Sequence, residues 1–204
     1  NSSAGHFVKM VHNGIEYGMM QLIAETFDFM QRSLRMAYPE MHRTFAEWNS
    51  GELNSFLIEI TADVLRKIDP ETGTNLVSVI LDTAGQKGTG KWTSQAAMDL
   101  GIPIPTIDSA VTMRQISAQK ALRKVLSSTN SGFRASSDAG RSRTSITELK
   151  DALFCSFVLT YAQGISLLQA ASIEKGYGLD LPEIARIWRG GCIIRSRFLE
   201  TIRK

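Results

Sequence analysis

Residues 4–37 have the sequence AGHFVKMVHNGIEYGMMQLIAETFDFMQRSLRMA, a run without proline that is rich in Met, Leu, Ile and Phe. Its apolar residues recur on several faces at helical spacing, which predicts one long helix that is buried on several sides. Gly14 and Gly18 lie four residues apart, so they would let another helix approach closely. Pro39 then marks a loop. The first part of the chain is therefore predicted to be a core helix.

Beyond this helix the helical pattern continues. The further predicted helices cover residues 45–68 (a pair joined at 49–51), 93–100, 107–125 and 146–176, followed by a helix capped by Asp180 with Pro182 in its first turn. The helix at 146–176 is apolar almost all round, which indicates burial between other helices or subunits. Only residues 76–81 resemble a strand, and residues 127–147 predict a mobile surface loop. We expect a single all-α domain over residues 1–204.

Composition and charge exclude several classes of protein. The 204 residues include 23 Lys and Arg against 20 Asp and Glu, for a formal net charge of +3, and no basic run is dense enough to predict nucleic-acid binding. Cys155 and Cys192 lack metal-ligand spacing and lie in apolar surroundings, which predicts free, buried thiols in the reducing cytoplasm. No signal peptide and no apolar run long enough to cross a membrane is expected. The small positive net charge is compatible with a small anionic ligand.

One stripe of the first helix concentrates polar groups. Lys9, His12, Asn13 and Glu16 are spaced at i, i+3, i+4 and i+7, which places them on one face, with Tyr17 at its edge. Polar groups on a buried helix need partners, because leaving one unpaired costs roughly 1–3 kcal/mol. A polar ligand would supply those partners. The alternative is a salt-bridged Lys9–Glu16 face with His12 hydrogen-bonded in the core.

A metal site on this stripe is the weaker hypothesis. His12 and Glu16 could share a metal ion at i, i+4, but no third ligand is apparent, so we predict no metal.

The second candidate site is the glycine-rich loop DTAGQKGTGKW at residues 82–92. Exposed backbone N–H groups of such a loop suit a phosphate group. The possible anion donors in and near the loop are Lys87, Thr89, Lys91 and Arg114. The loop nearly matches a P-loop, but Trp92 stands where Ser or Thr should hold magnesium. A plain surface turn is the alternative interpretation, and Arg114 alone would be an ordinary surface arginine.

Several stretches resemble 6-phosphogluconate dehydrogenases. The segment GHFVKMVHNGIEY at residues 5–17 looks like the catalytic helix of that family, and ILDTAGQKGTGKW at 80–92 matches its characteristic loop throughout. Residues 53–62, 161–169 and 188–195, the last containing RGGCIIR, resemble the family too. The similarity covers nearly the whole chain apart from residues 127–147. The chain is thus identified as the helical substrate-binding and dimerisation domain of such an enzyme.

The resemblance implies a reaction and roles for the residues. The family oxidatively decarboxylates 6-phosphogluconate to ribulose 5-phosphate with reduction of NADP, in the pentose phosphate pathway, as a cytoplasmic homodimer. Lys9 matches the general base that takes the proton from the C3 hydroxyl as hydride leaves. It must then be neutral, so burial should depress its pKa. Glu16 matches the acid that protonates C1 of the enediol, which a raised pKa would favour. The remaining matches are His12 and Asn13 for substrate hydroxyl or carboxylate groups, and Tyr17, Lys87, Thr89 and Arg114 for the phosphate.

The chain also departs from the family pattern. No G-x-G-x-x-G follows a strand, so the Rossmann domain and its cofactor-binding residues are not recognised. The family's Ser-Gly-Gly substrate segment is missing, as is the tail that brings an arginine and a histidine to the partner subunit's phosphate site. We therefore expect no dehydrogenase turnover from these 204 residues alone.

Two other functions stay open. The chain could be a helical dimerisation module with a vestigial pocket, which the apolar helix at 146–176 motivates. It could instead belong to a related β-hydroxyacid dehydrogenase that acts on an unphosphorylated acid, although Lys87, Thr89 and Arg114 favour a phosphate.

Overall fold

The computed structural model describes residues 3–129 and 145–204. Within these two ranges the chain forms ten helices and no strand, which confirms the all-α prediction. The helices are α1 (Ala4–Arg32), α2 (Tyr38–Asn49), α3 (Phe56–Arg66), α4 (Leu76–Val79), α5 (Thr89–Asp99), α6 (Pro105–Ala118), α7 (Lys120–Thr129), α8 (Ile146–Glu174), α9 (Leu181–Trp188) and α10 (Leu199–Arg203).

Helix α1 is the centre of the fold. It packs against α5, α6 and α8, and its Val11, Ile15 and Met19 are fully buried. A Cβ added to Gly14 would lie 2.7 Å from the side chain of Thr93 in α5, and one added to Gly18 would lie 2.7 Å from that of Thr160 in α8. The predicted close approach at these glycines is confirmed, with a different helix at each one.

Side-chain caps set the beginning of the two helices that pack behind the site. At the start of α8, Ser145 Oγ accepts a hydrogen bond from the Glu148 N–H at 3.1 Å, and Glu148 Oε2 accepts one from the Ser145 N–H at 2.7 Å. This reciprocal pair satisfies two backbone donors that the helix itself leaves free. At the start of α9, Asp180 Oδ1 accepts from the Glu183 N–H at 3.0 Å, as the sequence predicted.

Three predictions about secondary structure were wrong. Pro39 does not mark a loop, because it lies in the first turn of α2, where a proline is tolerated. Residues 76–81 are not a strand: they form the short helix α4 and an exposed continuation, because no neighbouring strand offers the backbone a partner among the described residues. The helix predicted over 107–125 is divided at Gln119, where ψ is 50°. Helix α7 then starts afresh and has no buried residue. Its Arg123 instead donates to the Asp82 carboxylate at 3.2 Å.

The loop predicted over 127–147 was wrong at both of its ends. Residues 127–129 complete α7, and residues 145–147 are the cap and first turn of α8, while 130–144 lie outside the described residues. The prediction that both thiols are buried was wrong for Cys155, which is exposed on α8, whereas Cys192 is partly buried. Both cysteines are free, as expected.

Helix α8 is long and apolar enough, by length and composition, to cross a membrane, so the expectation that no such run exists was too strict. The core helices of soluble proteins share these properties. Leu153, Phe157, Leu167 and Leu168 of α8 are buried in the protein core, and the helix packs along α1. Its apolar character is therefore accounted for in part by packing within the domain.

Candidate active site

The polar row predicted on α1 lies on one face of the helix. Lys9 Nζ donates a hydrogen bond to Asn13 Oδ1 at 2.6 Å. His12 Nδ1 lies 3.4 Å from Lys9 Nζ and 3.2 Å from Asn13 Oδ1. Glu16 follows one turn further along and is half-buried. Lys9, His12 and Asn13 thus form one hydrogen-bonded group, with a carboxyl group next to it.

The alternative interpretation of this face as a salt bridge was wrong. Lys9 directs its ammonium group to Asn13, and no ion pair joins it to Glu16 within residues 3–129 and 145–204. Lys9 is also exposed, so the burial expected of a general base is not provided by the described residues.

Helix α5 brings the glycine-rich loop to this row. Asn13 Nδ2 donates to Thr89 Oγ1 at 3.2 Å, across a separation of 76 residues. The hydroxyl of Thr93 lies 3.0 Å from the Met10 carbonyl oxygen and 2.9 Å from that of Thr89. These contacts hold the first turn of α5 against the polar face of α1. The two candidate sites of the sequence analysis are therefore parts of a single site.

Arg114 and Tyr17 form the far end of the row. The Arg114 guanidinium carbon lies 4.5 Å above the centre of the Tyr17 ring, a cation–π arrangement. Arg114 Nη1 also donates to the Gly85 carbonyl oxygen at 2.9 Å, which ties α6 to the loop. A Cβ on Gly90 would lie 2.6 Å from the Tyr17 ring, so only glycine lets α5 pack this closely. A cation is thus held in place beside the loop.

The glycine-rich loop leads directly into the N-terminus of α5, but the elements around it differ from those of a P-loop. Gly88 has φ 104° and precedes the first turn of α5, where free N–H groups favour an anion. Lys87 and Lys91 are exposed and make no hydrogen bond or ion pair with any described residue. The short helix α4, rather than a parallel strand, precedes the loop. The P-loop alternative therefore lacks its structural context.

Burial changes the pKa of two residues in the row. It lowers the pKa of His12 to about 4; the charge of Lys9 acts in the same direction, and the hydrogen bond with Asn13 partly opposes both. Burial raises the pKa of the Glu16 carboxyl, against smaller opposite effects of Lys9 and Arg114. The raised pKa expected for Glu16 is therefore found. The same face of α1 therefore carries a neutral imidazole at His12 and, at Glu16, a carboxyl group that retains its proton more readily than an ordinary glutamate.

Sequence reasoning missed two residues of the site. Thr93 joins α5 to the Met10 carbonyl oxygen, and the Trp188 ring lies 5.6 Å from the His12 ring, centre to centre, at an interplanar angle of 74°. Neither residue belongs to the α1 periodicity. The only signal for Trp188 was the resemblance of residues 188–195 to the family.

The described residues form neither a metal site nor a dinucleotide site of the Rossmann type. Residues 3–129 and 145–204 bring together no group of three or more His, Cys, Asp or Glu side chains that could hold a metal ion. A dinucleotide site of the Rossmann type needs the edge of a parallel sheet, and the described residues form no strand. These residues do not by themselves form the NADP site of the family.

The comparisons with known proteins agree with this geometry. The family model for the C-terminal domain of 6-phosphogluconate dehydrogenase matches residues 5–204. The chain belongs to the 6-phosphogluconate dehydrogenase family.

Relatives and a solved structure place the chain within this family. The decarboxylating 6-phosphogluconate dehydrogenase of Synechocystis is 52% identical over 202 residues, which are 98% of this chain and 42% of that protein. The NADP(+)-dependent enzyme of Bacillus subtilis is 53% identical over 201 residues, 98% of this chain and 43% of that one. The Plasmodium falciparum enzyme, solved alone, with its cofactor NADP+ and with its substrate 6-phosphogluconate, superimposes with a TM-score of 0.91 at 46% identity, over 98% of this chain and 43% of that one.

The family match also shows to which domain of these relatives the chain corresponds. The chain spans less than half the length of these relatives and corresponds to their C-terminal domain. The all-helical architecture and the polar face of α1 therefore lie in a domain that matches the C-terminal domain of this family.

Proposed function

We propose that this chain is the substrate-binding part of an enzyme that oxidatively decarboxylates 6-phosphogluconate to ribulose 5-phosphate with reduction of NADP. One observation carries the proposal: the polar face of α1, from Lys9 to Glu16, meets the N-terminus of α5 and the cation Arg114 in one site. An extended sugar acid with a phosphate at one end needs polar groups along its length and a cation at its phosphate, and this site offers both in that order. The names of the relatives support the substrate and the cofactor.

Lys9 is the proposed general base. It accepts the proton of the C3 hydroxyl when the alcohol is oxidised, and it then donates a hydrogen bond to the new ketone oxygen as carbon dioxide leaves. Lys9 reaches outward from the row, and its contact with Asn13 keeps its Nζ near His12. Because the described residues leave Lys9 exposed, bound substrate and the rest of the enzyme must exclude water from it.

Glu16 is the proposed acid, and it returns a proton to C1 of the enediol. Half-burial raises the pKa of its carboxyl, which favours the protonated form that this step uses. Lys9 and Glu16 lie two helical turns apart on the same face, a separation of about 10 Å along the helix axis. Base and acid can therefore act at different carbons of one extended substrate.

The phosphate is proposed to bind where α5 begins. Arg114 supplies a charged donor, and its contacts with the Tyr17 ring and the Gly85 carbonyl oxygen hold it in position before ligand arrives. Thr89 and Lys87 lie in the same loop and helix start and add further donors. His12 and Asn13 are assigned to substrate hydroxyl or carboxylate groups.

The test uses the full-length enzyme and the formation of NADPH followed spectrophotometrically. We expect turnover with 6-phosphogluconate and a loss of about 10²–10⁴-fold in kcat for Lys9→Met, because a positioned base contributes a factor of this size. Wild-type activity in Lys9→Met would contradict the proposal. The 204 residues alone are expected to give no turnover, and steady NADPH production by them would show that expectation to be wrong.

A homodimer in the cytoplasm is the second part of the proposal. Helix α8 keeps Leu159 at 53% and Ile173 at 78% exposed although it is among the most apolar segments of the chain. An apolar groove of about 300 Å³ between α1 and α3 adds to the uncovered apolar surface. Covering such surface with a second copy would be favourable. Light scattering that finds a folded monomer would contradict this part of the proposal, and so would contradict the dimerisation-module alternative.

A further inference from the structure

Trp188 lies directly behind the polar row of α1. It is the last residue of α9, is 5% exposed, and makes an edge-to-face contact with His12 at 5.6 Å between ring centres. Two aromatic rings favour this arrangement over face-to-face stacking. Trp188 belongs to the stretch 188–195 that resembles the family, but the proposed reaction gives it no role.

His12 has opposite surroundings at its two ring nitrogens. Its side chain is 3% exposed, and Nε2 is buried without a hydrogen-bond partner among the described residues. Nδ1 lies on the polar side, 3.4 Å from Lys9 Nζ and 3.2 Å from Asn13 Oδ1. One nitrogen therefore lies on the polar face, and the other is enclosed in the interior of the protein.

These surroundings favour one tautomer. A lysine ammonium is only a donor, so its contact with Nδ1 uses the lone pair of Nδ1 and leaves the imidazole proton on Nε2. Asn13 Oδ1 favours the opposite tautomer, but it already accepts the shorter bond from Lys9 at 2.6 Å.

We propose that Trp188 is a positioning residue of the active site: its ring holds the neutral His12 imidazole with the proton on Nε2, so that Nδ1 is presented to Lys9 and to substrate. The inference rests on the proposed function where it concerns substrate. Trp188 itself touches no reacting atom and acts through His12.

The charges around the imidazole agree with this role. A neutral His12 adds no second positive charge beside Lys9, and enclosure of the ring lowers the pKa of His12 to about 4. The other titratable groups nearby are Glu16 on α1 and Cys192 after α9, with Arg195 in the same segment as Cys192. The Cys192 thiol donates to the Trp188 carbonyl oxygen at 2.9 Å, which ties the following segment to Trp188.

The test is NMR on the 204-residue protein, which has only three histidines, His6, His12 and His42. Long-range ¹H–¹⁵N spectra distinguish the two neutral tautomers from the charged ring. We expect His12 to be neutral with its proton on Nε2 at about pH 6, where an ordinary histidine is largely charged. A proton on Nδ1, or a charged ring at that pH, would overturn the proposal without any variant.

Substitutions of Trp188 then distinguish a specific effect of its ring on His12 from a general effect of core packing. In Trp188→Leu we expect mixed tautomers and a pKa of His12 that rises from about 4 toward 6.5, whereas Trp188→Phe keeps the wild-type spectrum. Trp48→Leu is the matched control, because Trp48 is 4% exposed but packs on Phe45 away from the site. An unchanged His12 in Trp188→Leu, or an equal change in Trp48→Leu, would contradict the proposal.

A kinetic measurement on the full-length enzyme adds the functional consequence. Trp188→Leu is expected to lower kcat/KM for 6-phosphogluconate about tenfold or more, and Trp188→Phe to restore most of it. Failure of the wild-type enzyme to act on 6-phosphogluconate would remove the proposed function, whereas the NMR result on His12 would still decide the role of Trp188.

Discussion

At the scale of single residues, Glu16 has the environment that its proposed role requires. Its carboxyl is half-buried, and desolvation raises its pKa although Lys9 and Arg114 both act against this. Desolvation outweighs the two cations because neither makes an ion pair with Glu16 among the described residues. The carboxyl can therefore hold a proton near neutral pH more readily than an exposed glutamate.

Replacing Glu16 with glutamine tests this role. In Glu16→Gln of the full-length enzyme we expect kcat to fall about 10²–10⁴-fold with a smaller change in KM, because the amide keeps the shape and loses the transferable proton. Glu25→Gln is the matched control, since Glu25 is exposed on the same helix. Equal kinetics for the two variants would show that Glu16 is not the acid.

His12 makes the stability of the 204-residue protein depend on pH. Between pH 6.5 and about 4 the unfolded chain holds a proton on this imidazole that the folded chain does not, so the free energy of unfolding falls as the pH falls through this range. The loss is about 3.5 kcal/mol at most, since folding lowers the pKa of His12 from 6.5 to about 4 and each pKa unit corresponds to roughly 1.4 kcal/mol. The raised pKa of Glu16 acts in the opposite direction, because its folded state takes up a proton at higher pH than its unfolded state.

The contribution of His12 is isolated by comparing denaturant unfolding of wild type and His12→Gln at several pH values. The variant is expected to lose less stability on acidification than the wild type, and His6→Gln, at an exposed position of the same helix, should behave as wild type. Parallel pH dependence in wild type and His12→Gln would contradict the assignment of a buried, neutral imidazole.

At the scale of helices, the contact between α5 and α1 depends on Gly90. In Gly90→Ala the new methyl would meet the Tyr17 ring at 2.6 Å and Val111 at 3.0 Å, so α5 must move. Overpacking of this kind costs about 1–3 kcal/mol, and the displaced loop should also bind phosphorylated ligands more weakly. Unfolding and ligand titration of the variant measure both effects.

Gly5→Ala is the matched control for this helix contact. Gly5 is also helical, but nothing lies within 4 Å of an added Cβ, and alanine favours a helix by about 0.5–1 kcal/mol over glycine. We therefore expect unchanged or slightly higher stability. Similar destabilisation in both variants would mean that the space beside Tyr17 does not explain the role of Gly90.

The helices could be predicted from sequence where the periodicity was long and the caps were local. The polar row of α1 and the cap at Asp180 depend on residues close in sequence, and both predictions are confirmed. Residues 76–81 were misjudged because a short apolar run suits a strand or a helix equally well. After the break at Gln119, Lys120 and Arg123 pair with the distant Asp82, a contact that no local pattern of α6 and α7 contains.

At the scale of the whole molecule, the site depends on contacts between distant parts of the chain. Asn13 meets Thr89 across 76 residues, and Arg114 reaches the Gly85 carbonyl oxygen across 29. Helical periodicity could predict that Lys9 and Glu16 lie on one side of α1, but it could not predict which other helices pack beside them. Only the resemblance to a family joined the α1 row, the loop and Arg114, and it could not predict that Lys9 would be exposed.

The central claim is that α1, the start of α5 and Arg114 form one site for a phosphorylated sugar acid. The most direct test is calorimetric titration of the 204-residue protein and of Arg114→Ala with 6-phosphogluconate and with gluconate. Arg43→Ala, an exposed arginine on α2, serves as the control. We predict that Arg114→Ala weakens 6-phosphogluconate binding about 10- to 100-fold, the value of a charged hydrogen bond of about 1.5–3 kcal/mol, and leaves gluconate binding nearly unchanged. Equal loss with both ligands, or no loss with either, would contradict the account.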